Sequence, residues 1–335
     1  MTQTSGTRRP RVTVVVPARN EDVSLQACID SIRRQTEQNL QILVVDGGSE
    51  DGTRDSVLKS AEEDKRIEVL DNPHRTVPYA LNIALEKAAA EVLVRVDAHA
   101  TVPPDYVARA ADLLETGQWG GVGGVKRGVG RSRAGRAIAA AMASPFGVGG
   151  SVYHYGTKRQ EVDHIPFGAY PVELARLVGG WGEEFTVNQD FEFDQRIRQS
   201  GHPLLFDPDL VIDWECRQSV RDLFRQYRRY GRGKVKVMAR HPGSVRPRHL
   251  LPPVLVAFGG ALLIAALLPG TDRRMVTAAA APYPLAVVAA SVATSRHVAD
   301  PVARLYLPAA FMAMHVGWGI GFWEGVLSRV SRRGG

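Results

Sequence analysis

The first hundred residues alternate short apolar runs with longer stretches of helical periodicity. The apolar runs are rich in β-branched residues, which favours buried strands. Four strands are predicted, at Val12 to Val16, Gln41 to Asp46, Ile67 to Leu70 and Glu91 to Asp97. Helices are predicted between them, at Ser24 to Gln35, Thr53 to Asp64 and Pro78 to Ala89. Apolar strands that alternate with helices indicate an α/β fold with a mostly parallel sheet covered on both faces.

Polar segments follow three of these strands: PARNE from Pro17, DGGSEDGT from Asp46 and DAHA from Asp97. The carboxyl ends of parallel strands meet at one edge of a sheet, where α/β proteins bind ligands. Asp46 precedes a tight Gly-Gly turn and is suited to accept hydrogen bonds from a base or ribose, with capping of the next helix as the alternative. Glu21 is suited to cap a helix, and Arg19 to contact a phosphate.

The pattern changes in the last third of the chain, where three long runs lack Asp, Glu, Lys and Arg. They are Leu250 to Leu268, Met275 to Ser295 and Leu305 to Trp323. Each is long enough to cross a hydrocarbon core. Just before them, residues 221 to 249 hold ten Lys or Arg and one acidic residue. Because basic flanks stay on the cytoplasmic side and no signal peptide is recognised, we expect a multi-pass protein of the cytoplasmic membrane with its N-terminal part in the cytosol.

The C-terminal tail SRVSRRGG conflicts with three complete spans, because they would export a basic segment. Either the charge of the tail is overridden, or one of the apolar runs lies in the interface or re-enters the membrane. The prolines of LLPP and APYPL favour an irregular segment.

The net charge of +7 indicates an anionic partner, and nucleic acid, membrane and phosphorylated substrate are all compatible with it. Its concentration beside the apolar runs favours membrane lipids, and no nucleic-acid partner is expected. The two cysteines, Cys28 and Cys216, lack CxxC spacing, so no disulfide framework or thiolate metal site is indicated.

Neither a GxGxxG fingerprint nor a GxxxxGK[ST] loop is present. Instead, VTVVVPARNE, ILVVDGGSEDGT and VRVDAH resemble the strands, loops and DxD motif of the inverting glycosyltransferases of family 2, which have the GT-A fold. GAYPVELARLVGGWGEEF, NQDFEFDQRIRQSG and QYRRY are similar to the acceptor-side segment, the ED motif and the QxxRW motif of that family. The similarity covers residues 11 to 235. Within that family, the sequence resembles the succinoglycan-type bacterial exopolysaccharide glucosyltransferases.

The resemblance implies a metal-dependent site. Asp97 matches the first acid of DxD and His99 stands at the second, so both are expected to bind Mn²⁺ or Mg²⁺, with imidazole favouring Mn²⁺. Turn capping is the alternative for this pair. Asp190 matches the catalytic base of the ED motif, in which Gln189 replaces the usual Glu.

Other residues are expected to bind the nucleotide-sugar. The full set of expected donor contacts is Pro17, Arg19, Asn20, Glu21, Asp46, Gly48, Arg75, Asn82, Asp97, Gln226, Arg229 and Tyr230. Tyr230 stands where the motif has Trp, and a surface role is an open alternative for Arg75. Lipid headgroup contact is favoured for Arg225, Arg228 and Arg232.

Two further segments have expected roles. Glu192 and Asp194 are expected to pair with Arg196 or Arg198. Residues 117 to 136, rich in Gly and Arg, are expected to form either a flexible loop or a lid that carries Lys126 and Arg127 toward phosphate.

The predicted organisation is an N-terminal tail (1 to 10), a GT-A catalytic domain (11 to 220), basic juxtamembrane helices (221 to 249), a membrane region with two to three apolar helices (250 to 329) and a short tail (330 to 335). The predicted function is transfer of a hexose, with glucose favoured, from a UDP-sugar to a polyprenyl-diphosphate-linked saccharide or growing polysaccharide at the cytoplasmic face. A non-catalytic nucleotide-sugar-binding component of an export assembly is the alternative. An oxidoreductase is disfavoured by the missing glycine fingerprint, and a processive synthase by the small number of spans.

Overall fold

The computed structural model describes residues 9 to 331, so most of both predicted tails lies outside the described residues. The chain forms two compact units. The first comprises the residues up to Lys126 together with Gly156–Trp214, and the second comprises Arg127–Tyr155 together with the residues from Glu215 onward.

The first unit is built on a mixed sheet whose nine strands all lie among the described residues. They are β1 (Val12–Ala18), β2 (Leu40–Asp46), β3 (Ile67–Asp71), β4 (Val92–Arg95), β5 (Ala100–Thr101), β6 (Gly121–Val129), β7 (Gln160–Val162), β8 (Ala169–Pro171) and β9 (Leu204–Glu215). Their order is β3-β2-β1-β4-β8-β6-β9-β5, and β7 pairs with β9. β1 pairs in parallel with β2 and β4, and β2 with β3, whereas β8 joins β4 and β6 in antiparallel fashion.

The α-helices are numbered in chain order. Those of the described residues are α1 (Leu25–Arg33), α2 (Thr53–Glu63), α3 (Val77–Lys87), α4 (Tyr106–Glu115), α5 (Arg133–Met142), α6 (Pro145–Val148), α7 (Val172–Leu177), α8 (Gln189–Gln199), α9 (Val220–Arg240), α10 (Pro247–Leu267), α11 (Arg273–Ala280), α12 (Pro282–Ser295), α13 (Pro301–Arg304) and α14 (Leu307–Ser331). Two short 3₁₀ helices, Val152–His154 and Pro242–Ser244, lie between them.

The predicted α/β fold is confirmed, and each of the four predicted strands and three predicted helices of the first hundred residues is present. β1 is buried along almost its whole length because helices cover both faces of the sheet, as its four valines indicate. On one of these faces Trp181 stacks on Phe193, with ring centroids 4.2 Å apart, and Tyr170 meets both rings edge-on. β4 ends at Arg95, two residues earlier than predicted, so Asp97 and His99 lie in the turn that leads to β5.

The expected flexible loop at residues 117 to 136 is wrong, because most of this segment forms β6 and the start of α5. A Cβ at Gly124 would lie 1.8 Å from the Leu210 carbonyl oxygen. Glycine is therefore required for β6 to lie so close to β9.

The three apolar runs of the second unit form helices. Among residues 9 to 331 there are three candidate membrane spans, at Pro247–Leu267, Arg273–Ser295 and Pro301–Ser331, with mean hydropathies of 2.3, 1.6 and 1.3. The prolines of LLPP lie inside α10, and those of APYPL begin α12 after a break at Ala281. The helices are long and apolar enough to cross a membrane, as the sequence predicts.

Within the second unit, α14 packs against the basic helix α9 through glycines one turn apart. A Cβ at Gly317 would lie 2.8 Å from the Phe224 carbonyl oxygen, and a Cβ at Gly321 would lie 1.9 Å from that of Arg228. Such a stripe of small residues lets two helix backbones approach closely.

We predict that Gly321→Ala destabilises the protein by roughly 1–3 kcal/mol, because its methyl group has no space against the α9 backbone. The measurement is thermal unfolding in detergent, read by circular dichroism. Gly259→Ala is the matched control, since Gly259 is also in a membrane-region helix and has nothing within 4 Å of its would-be Cβ. Equal melting temperatures for the two variants would contradict the close packing.

Candidate active site

The loops after β1 and β2 are joined by hydrogen bonds. The Asn20 N–H donates to Ser49 Oγ (3.0 Å), and the Glu50 N–H donates to Asn20 Oδ1 (2.9 Å). The Glu21 N–H donates to Thr53 Oγ1 (2.8 Å). Asn20 has a φ of 55°, which bends the chain toward the second loop. The structure therefore brings together the two polar segments that the sequence places at strand ends.

Asp46 lies at the end of β2 with only 3% of its surface exposed. It accepts hydrogen bonds from Ser49 Oγ (2.6 Å) and Arg54 Nη1 (3.3 Å), and Arg54 also binds Asp71 at the end of β3 (2.5 Å). The helix-capping alternative for Asp46 is wrong, because Gly52 is the N-cap of α2 and the Thr53 N–H at the start of that helix donates to Asp51 Oδ1 (3.0 Å).

Arg75 lies beside the glycine turn that follows Asp46. Gly48 has a φ of 69°, and a Cβ there would lie 3.6 Å from Arg75 Nε. Arg19 covers Gly47 from the other side, with its own Cβ 3.2 Å from where a Gly47 Cβ would be. Two arginines thus flank a turn that has no side chains, an arrangement suited to an anionic group. Pro17 pairs with Val45 in the adjoining strands.

Arg95 is the centre of the site. Its side chain is only 5% exposed, at the end of β4. Nε donates to Asp97 Oδ1 (2.7 Å) and Nη2 to Asp97 Oδ2 (3.1 Å), while Nη1 donates to Asp190 Oδ1. Its guanidinium also lies 5.4 Å from the centroid of the Phe167 ring. One buried cation therefore joins the predicted metal ligand to the predicted base.

The charges around Arg95 support each other. Burial by itself would raise the pKa of Asp97, but the Arg95 guanidinium, with Lys126, holds that pKa below its usual range. Despite burial, the two carboxylates raise the pKa of Arg95. Because the folded-state pKa of Asp97 is depressed, its stabilising contribution is present above the unfolded pKa of about 4 and is lost as pH falls through the folded value.

Asp190 lies in the first turn of α8, which follows the N-cap residue Asn188 with a φ of 60°. A helix N-terminus stabilises a carboxylate. Among the described residues, only Oδ1 of Asp190 has a hydrogen-bond partner, and the side chain is 20% exposed.

Both ring nitrogens of His99 are engaged. Trp214 Nε1 donates to Nε2 (2.7 Å), and Nδ1 lies 3.2 Å from Glu21 Oε1. An indole N–H only donates, so Nε2 is unprotonated and the neutral ring carries its hydrogen on Nδ1, facing Glu21. Lys126 lies over the Trp214 ring at 3.8 Å, rather than in a loop.

The predicted metal ligands fit a cation unequally. In residues 9 to 331 no group of three or more His, Cys, Asp or Glu could hold a metal ion. The Asp97 carboxylate keeps lone pairs beyond the two that Arg95 uses, so it fits a divalent cation. His99 fits only when the Trp214 N–H leaves Nε2. Its role as a ligand stays a prediction.

The remaining predicted donor contacts have other partners. The Asn82 amide accepts from the Trp181 N–H (2.7 Å) and donates to the Trp181 carbonyl oxygen (2.9 Å), which fixes the segment before α8. On α9, in the second unit, Gln226 Nε2 donates to the Tyr230 hydroxyl (2.9 Å), and Arg229 is exposed. The buried Gln226 Oε1 has no partner among the described residues. The donor contacts of these four residues stay predictions.

Some expected ion pairs are confirmed and others are not. Glu192 binds Arg196 as predicted (2.8 Å). Asp194 does not pair with an arginine: its carboxylate accepts from the Tyr170 hydroxyl (2.7 Å) and contacts His164 Nδ1 (2.6 Å). Burial raises the pKa of Asp194, although these partners act against that rise.

The three arginines of α9 for which lipid headgroup contact is predicted have protein partners within the second unit. Arg228 and Arg232 both bind Glu324 of α14, and Arg225 binds Asp222.

Sequence reasoning missed Arg95 and Trp214. Arg95 is an arginine inside an otherwise apolar strand, and such a residue needs buried anions around it. The sequence therefore indicated that Arg95 has anionic partners, although it did not indicate which ones. Trp214 is 115 residues from His99, and no local pattern connects them.

The mixed sheet and the carboxylates gathered at the ends of its parallel strands define a GT-A-type glycosyltransferase. A family model described as Glycosyl transferase family 2 matches residues 13–170. The chain is 32% identical to the succinoglycan biosynthesis protein ExoA of Rhizobium meliloti (strain 1021) over 320 residues, 94% of each chain. The chain belongs to glycosyl transferase family 2.

More distant proteins share the fold or part of the sequence. A dolichyl N-acetyl-α-D-glucosaminyl phosphate 3-β-D-2,3-diacetamido-2,3-dideoxy-β-D-glucuronosyltransferase of Methanococcus voltae is 24% identical over 67% of this chain and 72% of its own. The mannosyltransferase PcManGT from Pyrobaculum calidifontis, solved with GDP-Man and Mn²⁺, has a TM-score of 0.59 at 22% identity, covering 96% of this chain and 88% of its own. S. aureus TarS 1-349 has a TM-score of 0.51 at 15% identity, covering 97% and 92%.

We predict that Arg95→Met raises the pKa of Asp97 and moves the acid limb of nucleotide-sugar binding to higher pH by about one unit or more. The measurement is the donor Kd as a function of pH. Arg66→Met is the control, because Arg66 binds Asp64 outside the site (2.7 Å). Arg95→Lys, which keeps the charge, should shift the limb less.

Removing Arg95 also leaves buried carboxylates unpaired, at a cost of about 3–5 kcal/mol, so folding is checked first by circular dichroism. An unchanged acid limb in folded Arg95→Met would contradict this account.

We predict that Trp214→Phe tightens Mn²⁺ binding about fivefold, because it frees Nε2 of His99 from one hydrogen bond. Phenylalanine keeps an aromatic ring under Lys126. The measurement is calorimetric titration of Mn²⁺ in the presence of a nucleoside diphosphate. Trp214→Phe combined with His99→Ala is the control and should lose the gain. Unchanged affinity in the single variant would remove His99 from the metal site.

Proposed function

We propose that this chain is a membrane-bound inverting glycosyltransferase that transfers a hexose, glucose in the first instance, from a UDP-sugar at the cytoplasmic face. Its acceptor is a lipid-linked saccharide or growing polysaccharide. The observation that carries the proposal is the position of Arg95, which holds Asp97 and Asp190 together at the ends of the parallel strands. Because the chain belongs to a glycosyltransferase family, we interpret these carboxylates as groups that act in glycosyl transfer.

Asp190 is the proposed general base. Arg95 donates a hydrogen bond to Oδ1, in the first turn of α8. Oδ2, which has no partner among the described residues, is then available to accept the proton of the acceptor hydroxyl. As that hydroxyl attacks the anomeric carbon, the nucleoside diphosphate leaves from the opposite face, so the configuration inverts.

The donor is proposed to bind along the loops after β1, β2 and β4. Asp46 is proposed to accept hydrogen bonds from the base or ribose, and Arg19 and Arg75 flank the turn beside it. A divalent cation, Mn²⁺ or Mg²⁺, held by Asp97 would offset the charge of the departing diphosphate. Mn²⁺ in the named PcManGT complex supports divalent cation use.

A lipid-linked acceptor fits the second unit. Three helices in it are long and apolar enough to span a membrane, and they follow the basic helix α9. Confining the enzyme to the bilayer shortens its search for a lipid-bound substrate. Buried Gln226 Oε1, without a partner among the described residues, is an acceptor atom that a bound ligand would satisfy. The dolichyl phosphate substrate in the name of the Methanococcus voltae relative points the same way.

The test is a donor screen on purified full-length protein in detergent, with membrane lipid extract as acceptor. UDP-glucose, UDP-galactose and GDP-mannose are compared, each with Mn²⁺, Mg²⁺ or chelator. We expect nucleotide release and a glycosylated lipid with UDP-glucose and a metal. Donor binding without any transfer would instead support the non-catalytic alternative.

We predict that Asp190→Asn lowers kcat by about 10²–10⁴-fold while the donor Kd changes little, because an amide cannot take the proton. The measurements are steady-state transfer and calorimetric donor binding. Asp55→Asn is the matched control: Asp55 also lies in the first turn of a first-unit helix, but it is exposed. Retained turnover in Asp190→Asn would exclude it as the base.

A further inference from the structure

The basic helix α9 carries charge along its whole length. Its exposed basic side chains are Arg221, Arg225, Arg228, Arg229, Arg232, Lys236 and Arg240. These residues are spread over all of α9, which has 21 residues and is about 30 Å long. No long segment of the helix is therefore free of charge. Charged side chains are costly in hydrocarbon, and α9 must therefore lie outside the membrane core.

The last apolar helix, α14, lies beside α9 along its length, so both helices have the same depth relative to a membrane. Gly317 meets Phe224, Gly321 meets Arg228 and Gly325 meets Arg232, so the contacts advance in the same order on both helices. Within the second unit, the two helices are therefore parallel, and α14 cannot cross the bilayer while α9 remains outside it.

Polar contacts at both ends of the last apolar segment also indicate that α14 lies outside the membrane core, as α9 does. Before α13, Asp300 binds Arg136 (2.6 Å) and Arg133 (3.4 Å) of α5. Toward the end of α14, Glu324 binds both Arg228 and Arg232. A crossing helix would carry these two ends to opposite sides of the membrane, yet both meet exposed arginines of the second unit.

The other two candidate spans differ from α14 in burial. Half of the most apolar stretch of Pro301–Ser331 is buried in protein, compared with 6% for Pro247–Leu267 and 11% for Arg273–Ser295. α10 and α11–α12 thus expose apolar surface that protein does not cover. Their lengths match a hydrocarbon core of about 30 Å.

We propose that α10 and α11–α12 form a membrane-crossing hairpin, and that α14 is not a span but lies along α9 in the membrane interface. The hydrocarbon of the bilayer covers α10 and α11–α12. The end of α14, with Arg329 in its last turn, then stays on the side of α9, in agreement with the positive-inside rule. This inference rests on the proposed membrane location, and it resolves the conflict between three apolar runs and a basic tail.

The experiment uses full-length variants that each carry one added cysteine and are expressed in a bacterial host. Arg274→Cys reports the start of α11, next to the turn of the hairpin. Ser331→Cys reports the end of α14, and Glu62→Cys the exposed surface of α2 as the cytosolic control. Cys28 and Cys216 are buried, so the unaltered chain gives the background. A small membrane-impermeant maleimide is applied to intact and to permeabilised cells, after carbonate extraction has shown the protein to be in the membrane.

We expect Arg274→Cys to be labelled in intact cells, and Ser331→Cys and Glu62→Cys only after permeabilisation. Labelling of Ser331→Cys in intact cells would overturn the proposal, because α14 would then cross. Protection of Arg274→Cys until permeabilisation would also overturn it, because the hairpin would not reach the far side. Recovery in the carbonate supernatant would refute the membrane location itself, whereas sugar transfer is measured separately and does not depend on this topology.

Discussion

The site depends on one buried cation. Arg95 ends a strand that is otherwise apolar, and its guanidinium binds Asp97 through two hydrogen bonds and Asp190 through a third. A buried arginine without partners would be very costly, and so would two neighbouring carboxylates without a cation. The three side chains therefore fix each other, although Asp190 lies 95 residues away along the chain. This contact couples α8 to the end of β4 and gives the proposed chemistry its geometry.

A different constraint organises the second unit. Glycines on α14 allow its backbone to touch that of α9, and Glu324 then binds two arginines of the basic helix. The contact places an apolar helix beside a charged one. Hydropathy describes each helix separately, whereas the contact between them explains why half of the most apolar stretch of Pro301–Ser331 is buried in protein.

Much of the first unit could be predicted because its signals are local. Runs of valine and leucine indicate buried strands, and the segments after them mark the edge of the sheet where ligands bind. The prediction for residues 117 to 136 failed because glycines that read as loop residues are needed where β6 and β9 lie in close contact. The expected arginine partner of Asp194 also failed, because Tyr170 and His164 reach its carboxylate from distant parts of the chain.

The sequence by itself determined the α/β order, the family resemblance, the acids at the strand ends and the existence of three apolar helices. These properties follow from hydrophobic periodicity and short motifs, which act over neighbouring residues. Only the tertiary structure decided that Arg95 joins Asp97 to Asp190, that Trp214 occupies a nitrogen of His99, and that α14 accompanies α9. Each of these contacts joins residues about a hundred positions apart, or two separate helices, so no local pattern encodes it.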